Sequence, residues 1–356
     1  MGRMRLGINI GYWGAGNDRD NVLLAQDADR LGYSVVWAAE AYSSDAPSVL
    51  SWVGATTRRI DLGAAVMQIP ARSPAMTAMT AATIDALSGG RFRLGLGVSG
   101  PQVSEGWHGV RFASPLGRTR EYIDIVRMAL ARETVAYQGK HYTLPLPDGP
   151  GKALKLAVRP VRDRIPVYLA AVGPKNLELA GEVADGWLAI FFSPEHSGEI
   201  VGSIADGARA AGRGTPEDPL AGFDIVPTVP VVITDDLDMG YAAVSAYAAL
   251  YVGGMGSREK NFYNQLACRM GFERQAKQVQ DLYLAGKARD AAAAMPREFL
   301  DATSLIGPRE RIRDRLAAYA DAGVTTLTVS IFAPGVEPKR AATRVMAEVM
   351  EQSGLG

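Results

Sequence analysis

Short apolar runs alternate with segments of helical periodicity along the chain, eight of each. The first run, residues 5–10, precedes a helical pattern over 21–31 whose apolar positions recur every three to four residues and which Gly32 ends. Residues 35–39 and 61–67 read as the second and third strands, with a helix from Pro47 to about residue 57 between them. Pro74 opens a helix over 75–87 that Gly89 and Gly90 close, residues 92–97 form the fourth strand, and after a loop a helix runs over about 116–132. The fifth strand is 167–171, followed by a turn at Gly173-Pro174 and a helix to Val183; the sixth is 187–191, with a helix after Pro194; the seventh lies within 223–234. A long helical segment broken at Gly253-Gly254 follows. Pro308 then opens a helix over 309–322, residues 325–331 are the eighth strand, and a helix over 340–352 ends the series.

The strands are nearly continuous apolar runs, as a sheet covered on both faces requires. Eight strand–helix units predict a closed α/β fold, a (β/α)8 TIM barrel, in one domain over 1–356 with insertions at about 137–164 and 254–300. The first insertion carries four prolines between Pro145 and Pro160 and reads as a hairpin or irregular segment. In such a barrel, chemistry belongs at the C-terminal strand ends, because the loops there are free of packing duties.

Composition narrows the partners. The chain is 47% hydrophobic, and its 38 Lys plus Arg balance 38 Asp plus Glu, so no net field draws it to nucleic acid or an acidic membrane. The N-terminus runs directly into an apolar alternation without a signal-peptide core, and no long uncharged apolar stretch occurs, so the expectation is a cytoplasmic protein acting on a small molecule. Apolar helix faces on the outside of a barrel point to a homodimer. Cys268, alone in the chain, cannot form an intrachain disulfide and reads as packing. His108, His141 and His196 are far apart without metal-ligand spacing, so no metal site is expected.

Four strand ends carry candidate chemistry. Leu169-Ala-Ala-Val-Gly-Pro-Lys-Asn176 places Ala171, Val172, Gly173 and Pro174 between a strand and a helix, where backbone N–H groups and the helix dipole favour an anion; a tight connection is the plainer reading. In the segment from Leu94 to His108, glycines at 95, 97 and 100 let backbone approach a flat or phosphorylated ligand, beside Val98 and Ser99, although no helix is expected directly after them. Glu40 ends the second strand and reads equally as acid, base or ring-orienting group, or as the cap of the next loop. Ala64 and Ala65 leave room for a planar group, Met67 packs either against it or in the core, and Arg72 meets an acidic tail or water. His108, in the loop after the fourth strand, is a second candidate for proton transfer.

Six segments in order over this frame resemble the luciferase-like monooxygenase superfamily, and more closely its branch using the deazaflavin coenzyme F420. They begin at Gly32, Met67, Leu87, Tyr168, Ala184 and Tyr251, as in Leu87-Ser-Gly-Gly-Arg-Phe-Arg-Leu-Gly-Leu-Gly-Val-Ser-Gly-Pro and Tyr251-Val-Gly-Gly-Met-Gly. The resemblance implies a bacterial-luciferase-like TIM barrel with the deazaflavin across the strand ends. Residues matching Ala64 and Ala65 would form a bulge behind the ring, sometimes with a non-proline cis peptide. Gly97 to Gly100 and Ala171 to Gly173 would hold the phosphate-bearing tail, and Glu40 would lie beside the ring. The implied reaction is hydride transfer between the coenzyme C5 and a small organic substrate. Sugar-phosphate dehydrogenases of the family have a His directly after the acidic residue, where this chain has Ala41, so another substrate is expected. The resemblance leaves two alternatives, an FMN-dependent monooxygenase and a binding protein without turnover. Flavin members place an Arg near the end of strand four, where this chain has Ser99-Gly100-Pro101.

Overall fold

The computed structural model describes residues 3–13 and 18–356; Met1 and Gly2 of the N-terminal reading lie outside them. Eight parallel strands form the barrel: β1 (Arg5–Asn9), β2 (Val35–Ala38), β3 (Asp61–Ala64), β4 (Phe92–Gly97), β5 (Val167–Ala170), β6 (Gly186–Ile190), β7 (Asp224–Ile233) and β8 (Thr326–Ile331). They pair in chain order, β8 returns to β1 with Arg5 opposite Thr326, and Tyr168 of β5 opposite Gly95 of β4 joins the two halves. The ring is closed, as the alternation predicts. Among the described residues no helix is long and apolar enough to cross a membrane.

A packed plug fills the barrel's interior. Trp37 and Tyr168 meet edge to face at 5.3 Å among Val35, Leu188 and Val226. Below them Arg93 bonds Asp61 at 2.8 Å and Asp224 at 3.2 Å, while the Tyr168 hydroxyl donates to Asp224 at 2.9 Å, so every buried charge has an opposite partner. Chemistry is thereby left to the other end.

Helix boundaries follow local signals. Ser73 accepts from Met76 N–H at 3.1 Å and opens Pro74–Ser88, which Gly89 ends at φ 70°, a left-handed conformation costly for a residue with a Cβ. Within the two segments that break the rhythm, short antiparallel pairs join Tyr137–Gln138 to Thr143–Leu144 and Thr134–Val135 to Leu154–Lys155, and helices span Phe262–Arg269, Glu273–Leu284, Ala288–Ala293 and Arg297–Ala302. Two local readings are corrected. A short helix, Pro101–Gly106, opens directly after Gly100, where a loop was expected, because Pro101 presets its first turn. The third strand stops at Ala64; a cis peptide joins Ala65 to Val66, and Met67–Gln68 then rejoins the sheet beside Leu96 and Gly97.

That bulge explains the glycines of β4. A Cβ on Gly95 would lie 1.8 Å from the Ala64 carbonyl oxygen, and one on Gly97 would lie 2.5 Å from Val66. These glycines therefore admit the neighbouring strand, where the sequence suggested a ligand. Gly95→Ala must displace backbone, and the expected loss exceeds about 3 kcal/mol or prevents folding. At Gly106 a Cβ meets nothing within 4 Å, so Gly106→Ala leaves the melting temperature near the parent's. Equal melting temperatures for the two variants would contradict this packing.

Asp29 ties the first helix to the start of β3 by accepting the N–H groups of Arg58, Arg59 and Ile60 at 3.0, 2.8 and 2.7 Å. Burial alone would raise its pKa, but these three donors outweigh burial and hold the carboxyl below its usual range. The folded value lies below the unfolded one, so the contribution is complete above the unfolded pKa, about 4, and disappears as pH falls through the folded value. Asp29→Asn should flatten the loss of urea stability on acidification below about pH 5; an unchanged pH slope would contradict it.

Candidate functional site

At the C-terminal mouth, one buried network joins the ends of β2, β3 and β4. Glu40, two residues beyond β2, has a side chain only 6% exposed, and Arg72 beyond β3 meets it in a two-pronged ion pair at 2.6 and 2.9 Å. The Glu40 carboxylate also accepts Ala46 N–H at 3.1 Å and Gln68 N–H at 3.3 Å. Arg72 reaches Asp45 as well. Burial works against the Arg72 charge, but Glu40 and Asp45 outweigh it and bind its proton more firmly than usual. Gln68 extends the network, donating to Ala41 O at 2.6 Å and accepting from Ser99 Oγ at 2.7 Å.

This geometry separates the readings of Glu40 and Arg72. Both Glu40 oxygens are taken by donors, which is the capping alternative, and Arg72 is neither solvated nor waiting for an acidic tail. Gln68 was missed; it lies 28 residues from Glu40, and no local motif announces the contact.

The mouth itself is lined by small residues. Ala65, Val66, Val98, Ser99, Gly100, Val172 and Gly173 are partly exposed there, and Ser99 takes φ 57°. The N–H groups of Ser99, Gly100, Val172 and Gly173 make no hydrogen bond to the described residues, on two loops that follow the adjacent strands β4 and β5. Pro174 is exposed at the first turn of the helix Pro174–Val183, so it shapes the entry and supplies no N–H. Four other predicted positions are turned inward: Ala64 and Met67 are fully buried, Gly97 is buried against Val66, and Ala171 is buried with its carbonyl accepting from Trp187 Nε1 at 2.9 Å. The bulge causes the first two, because it gives the exposed places to Ala65 and Val66. His108 follows the short helix, with its Nε2 enclosed and unpartnered among the described residues.

An aromatic wall closes the side beyond β6. Phe191 takes φ 55° and packs within 6.0 Å of Tyr247, Tyr251, Tyr263 and Phe299. Tyr251 belongs to a π-helical turn, Leu250–Gly254, whose Val252 carbonyl accepts from Asn261 Nδ2 at 3.1 Å. Gly253 and Gly254 are needed because a Cβ at either would run into Tyr283. Burial pushes the Tyr247, Tyr251 and Tyr263 phenols far up, so they stay neutral at working pH. Among the described residues no three His, Cys, Asp or Glu side chains converge as metal ligands.

Known proteins share this frame. The family profile described as luciferase-like monooxygenase matches residues 10–326. A Mycobacterium tuberculosis protein, a coenzyme F420-dependent oxidoreductase by name alone, is 45% identical over 333 residues, covering 92% of this chain and 95% of its own. The 5,10-methylenetetrahydromethanopterin reductase of Archaeoglobus fulgidus is 28% identical over 305 residues, covering 85% and 86%. Among solved structures, the coenzyme F420 dependent tetrahydromethanopterin reductase from Methanopyrus kandleri superposes with a TM-score of 0.82 over 97% of this chain and 98% of that one; at 23% identity this shows the shared fold. The chain belongs to the luciferase-like monooxygenase family.

Proposed function

We propose that this chain is an F420-dependent oxidoreductase that transfers a hydride between C5 of the deazaflavin and a small organic substrate. The carrying observation is the lining of the mouth: small, partly exposed residues at Ala65 and Val66 beside four unpaired backbone N–H groups on two adjacent loops. A flat ring with an anionic tail fits that combination, since small side chains admit the ring and unpaired amides accept the anion without a cationic side chain. The relative at 45% identity supports the choice of coenzyme.

When bound, the deazaflavin supplies the two-electron carbon centre. The chain does the positioning. Ala65 and Val66 would support the ring, Ser99, Gly100, Val172 and Gly173 would hold the tail, and the wall around Phe191 would exclude water. Glu40 acts in this reading as a positioning residue, because Arg72 and two backbone amides hold its oxygens. Ala41 supplies no proton-transfer group beside it, which argues against a sugar-phosphate alcohol as substrate.

The test is equilibrium titration of the purified chain with coenzyme F420 and with FMN, followed by absorbance and fluorescence. The expected result is a dissociation constant for F420 at least about a hundredfold below that for FMN, a preference of about 2.7 kcal/mol. Reduced F420 should then be oxidised by an unsaturated or carbonyl compound in a substrate panel, while oxidised F420 is not reduced by sugar phosphates. Tighter FMN binding would overturn the coenzyme assignment, and tight F420 binding without hydride exchange across the panel would overturn the enzyme.

A further inference from the structure

Beside the mouth, a cavity of about 340 Å³ lies between the segment after β3, the loop before the helix Pro115–Leu130 and the first turns of that helix. Its lining includes Arg72, Arg111, Arg118 and Thr119, and no acidic residue. Arg72 is already neutralised by Glu40 and Asp45, but Arg111 and Arg118 have no ion pair among the described residues. The nearby carboxylates are occupied: Glu105 accepts Phe112 N–H at 2.9 Å, and Glu121 accepts the N–H groups of Lys140, His141 and Tyr142.

Two further observations point into the same space. Thr119 is fully buried, yet its hydroxyl has no partner, and the Arg118 Nε is likewise enclosed and unpartnered. The 16-residue helix that carries both begins at Pro115 without a side-chain cap, since Ser114 sits in the left-handed region at φ 47° and bonds nothing with its side chain. Leaving a buried donor unmade is costly, and a helix N-terminus favours negative charge. The Arg118 side chain reaches the Tyr142 hydroxyl, but the described residues leave its Nε and the Thr119 hydroxyl without a partner.

We infer that this cavity is a binding site for an oxyanion, a carboxylate or a phosphate ester, carried by a molecule whose other end occupies the mouth. Val98 lines both spaces, so one ligand can span them. The Arg118 and Arg111 guanidiniums supply charge, and the Thr119 hydroxyl donates one hydrogen bond. Recognition here is by side chains, whereas the loops after β4 and β5 offer backbone amides.

The test titrates inorganic phosphate into the full chain at constant ionic strength, with chloride as the reference and the melting temperature as the readout. Phosphate should stabilise the parent saturably beyond chloride. Arg118→Met should weaken that binding about tenfold, as expected for one charge-assisted bond, and Thr119→Val should weaken it by a smaller factor. Should Arg118→Met fail to fold, the exposed Arg111→Ala and the near-isosteric Thr119→Val carry the same test. Absence of a phosphate-specific shift in the parent, or a shift that survives all the substitutions, would overturn the site, and neither result bears on the coenzyme assignment. A second arm compares F420 with its chromophore lacking the phosphate-bearing tail: a preference for the intact coenzyme that collapses in Arg118→Met assigns the oxyanion to the tail, and one that persists assigns it to the substrate.

Discussion

The mouth of this barrel depends on the ion pair between Glu40 and Arg72. Two charges are held almost out of water, an arrangement that survives only where the pair is well aligned and its remaining lone pairs are satisfied. Both conditions are met here. The pairing is two-pronged, and Ala46 and Gln68 add backbone donors to the carboxylate. Because Glu40 follows β2, Ala46 starts the next helix, Arg72 and Gln68 follow β3, and Gln68 in turn holds Ser99 after β4, one network fixes three strand ends.

Packing places the rest around it. β3 can bulge at Ala65 and Val66 only because Gly95 and Gly97 present no side chains to it, so the position of these two mouth residues is set by glycines on the neighbouring strand. On the other side, Phe191 and three neutral phenols pack together as a wall. The interior plug of Arg93, Asp61, Tyr168 and Asp224 closes the opposite end, which leaves the C-terminal face to carry chemistry.

The barrel was legible in the sequence because its strands are short apolar runs and its helices are punctuated by residues with one local meaning, such as Pro74 before a helix and Gly89 after it. What could not be read was how long-range contacts divide neighbouring residues between core and mouth. Met67 and Ala64 sit one place either side of Ala65 and Val66, and only the bulge decides that the outer two are buried. Arg72 looked solvent-facing because its partner is 32 residues away. The helix at Pro101 was missed since its signal is a single proline after a glycine-rich run. The unpartnered Thr119 hydroxyl gave no sequence signal, because a threonine in a helix usually bonds the preceding turn.

On the proposed function, the Glu40–Arg72 pair shapes the surface that would seat the coenzyme and takes no part in the reaction itself. The most direct measurement is the dissociation constant of F420 for Arg72→Met, taken well below that variant's melting temperature. Removing one partner strands a buried carboxylate, at about 3–5 kcal/mol by general experience, and loosens three strand ends together. Binding should weaken at least about tenfold in a chain that keeps its barrel circular-dichroism spectrum. Parent-like F420 affinity in that folded variant would contradict it.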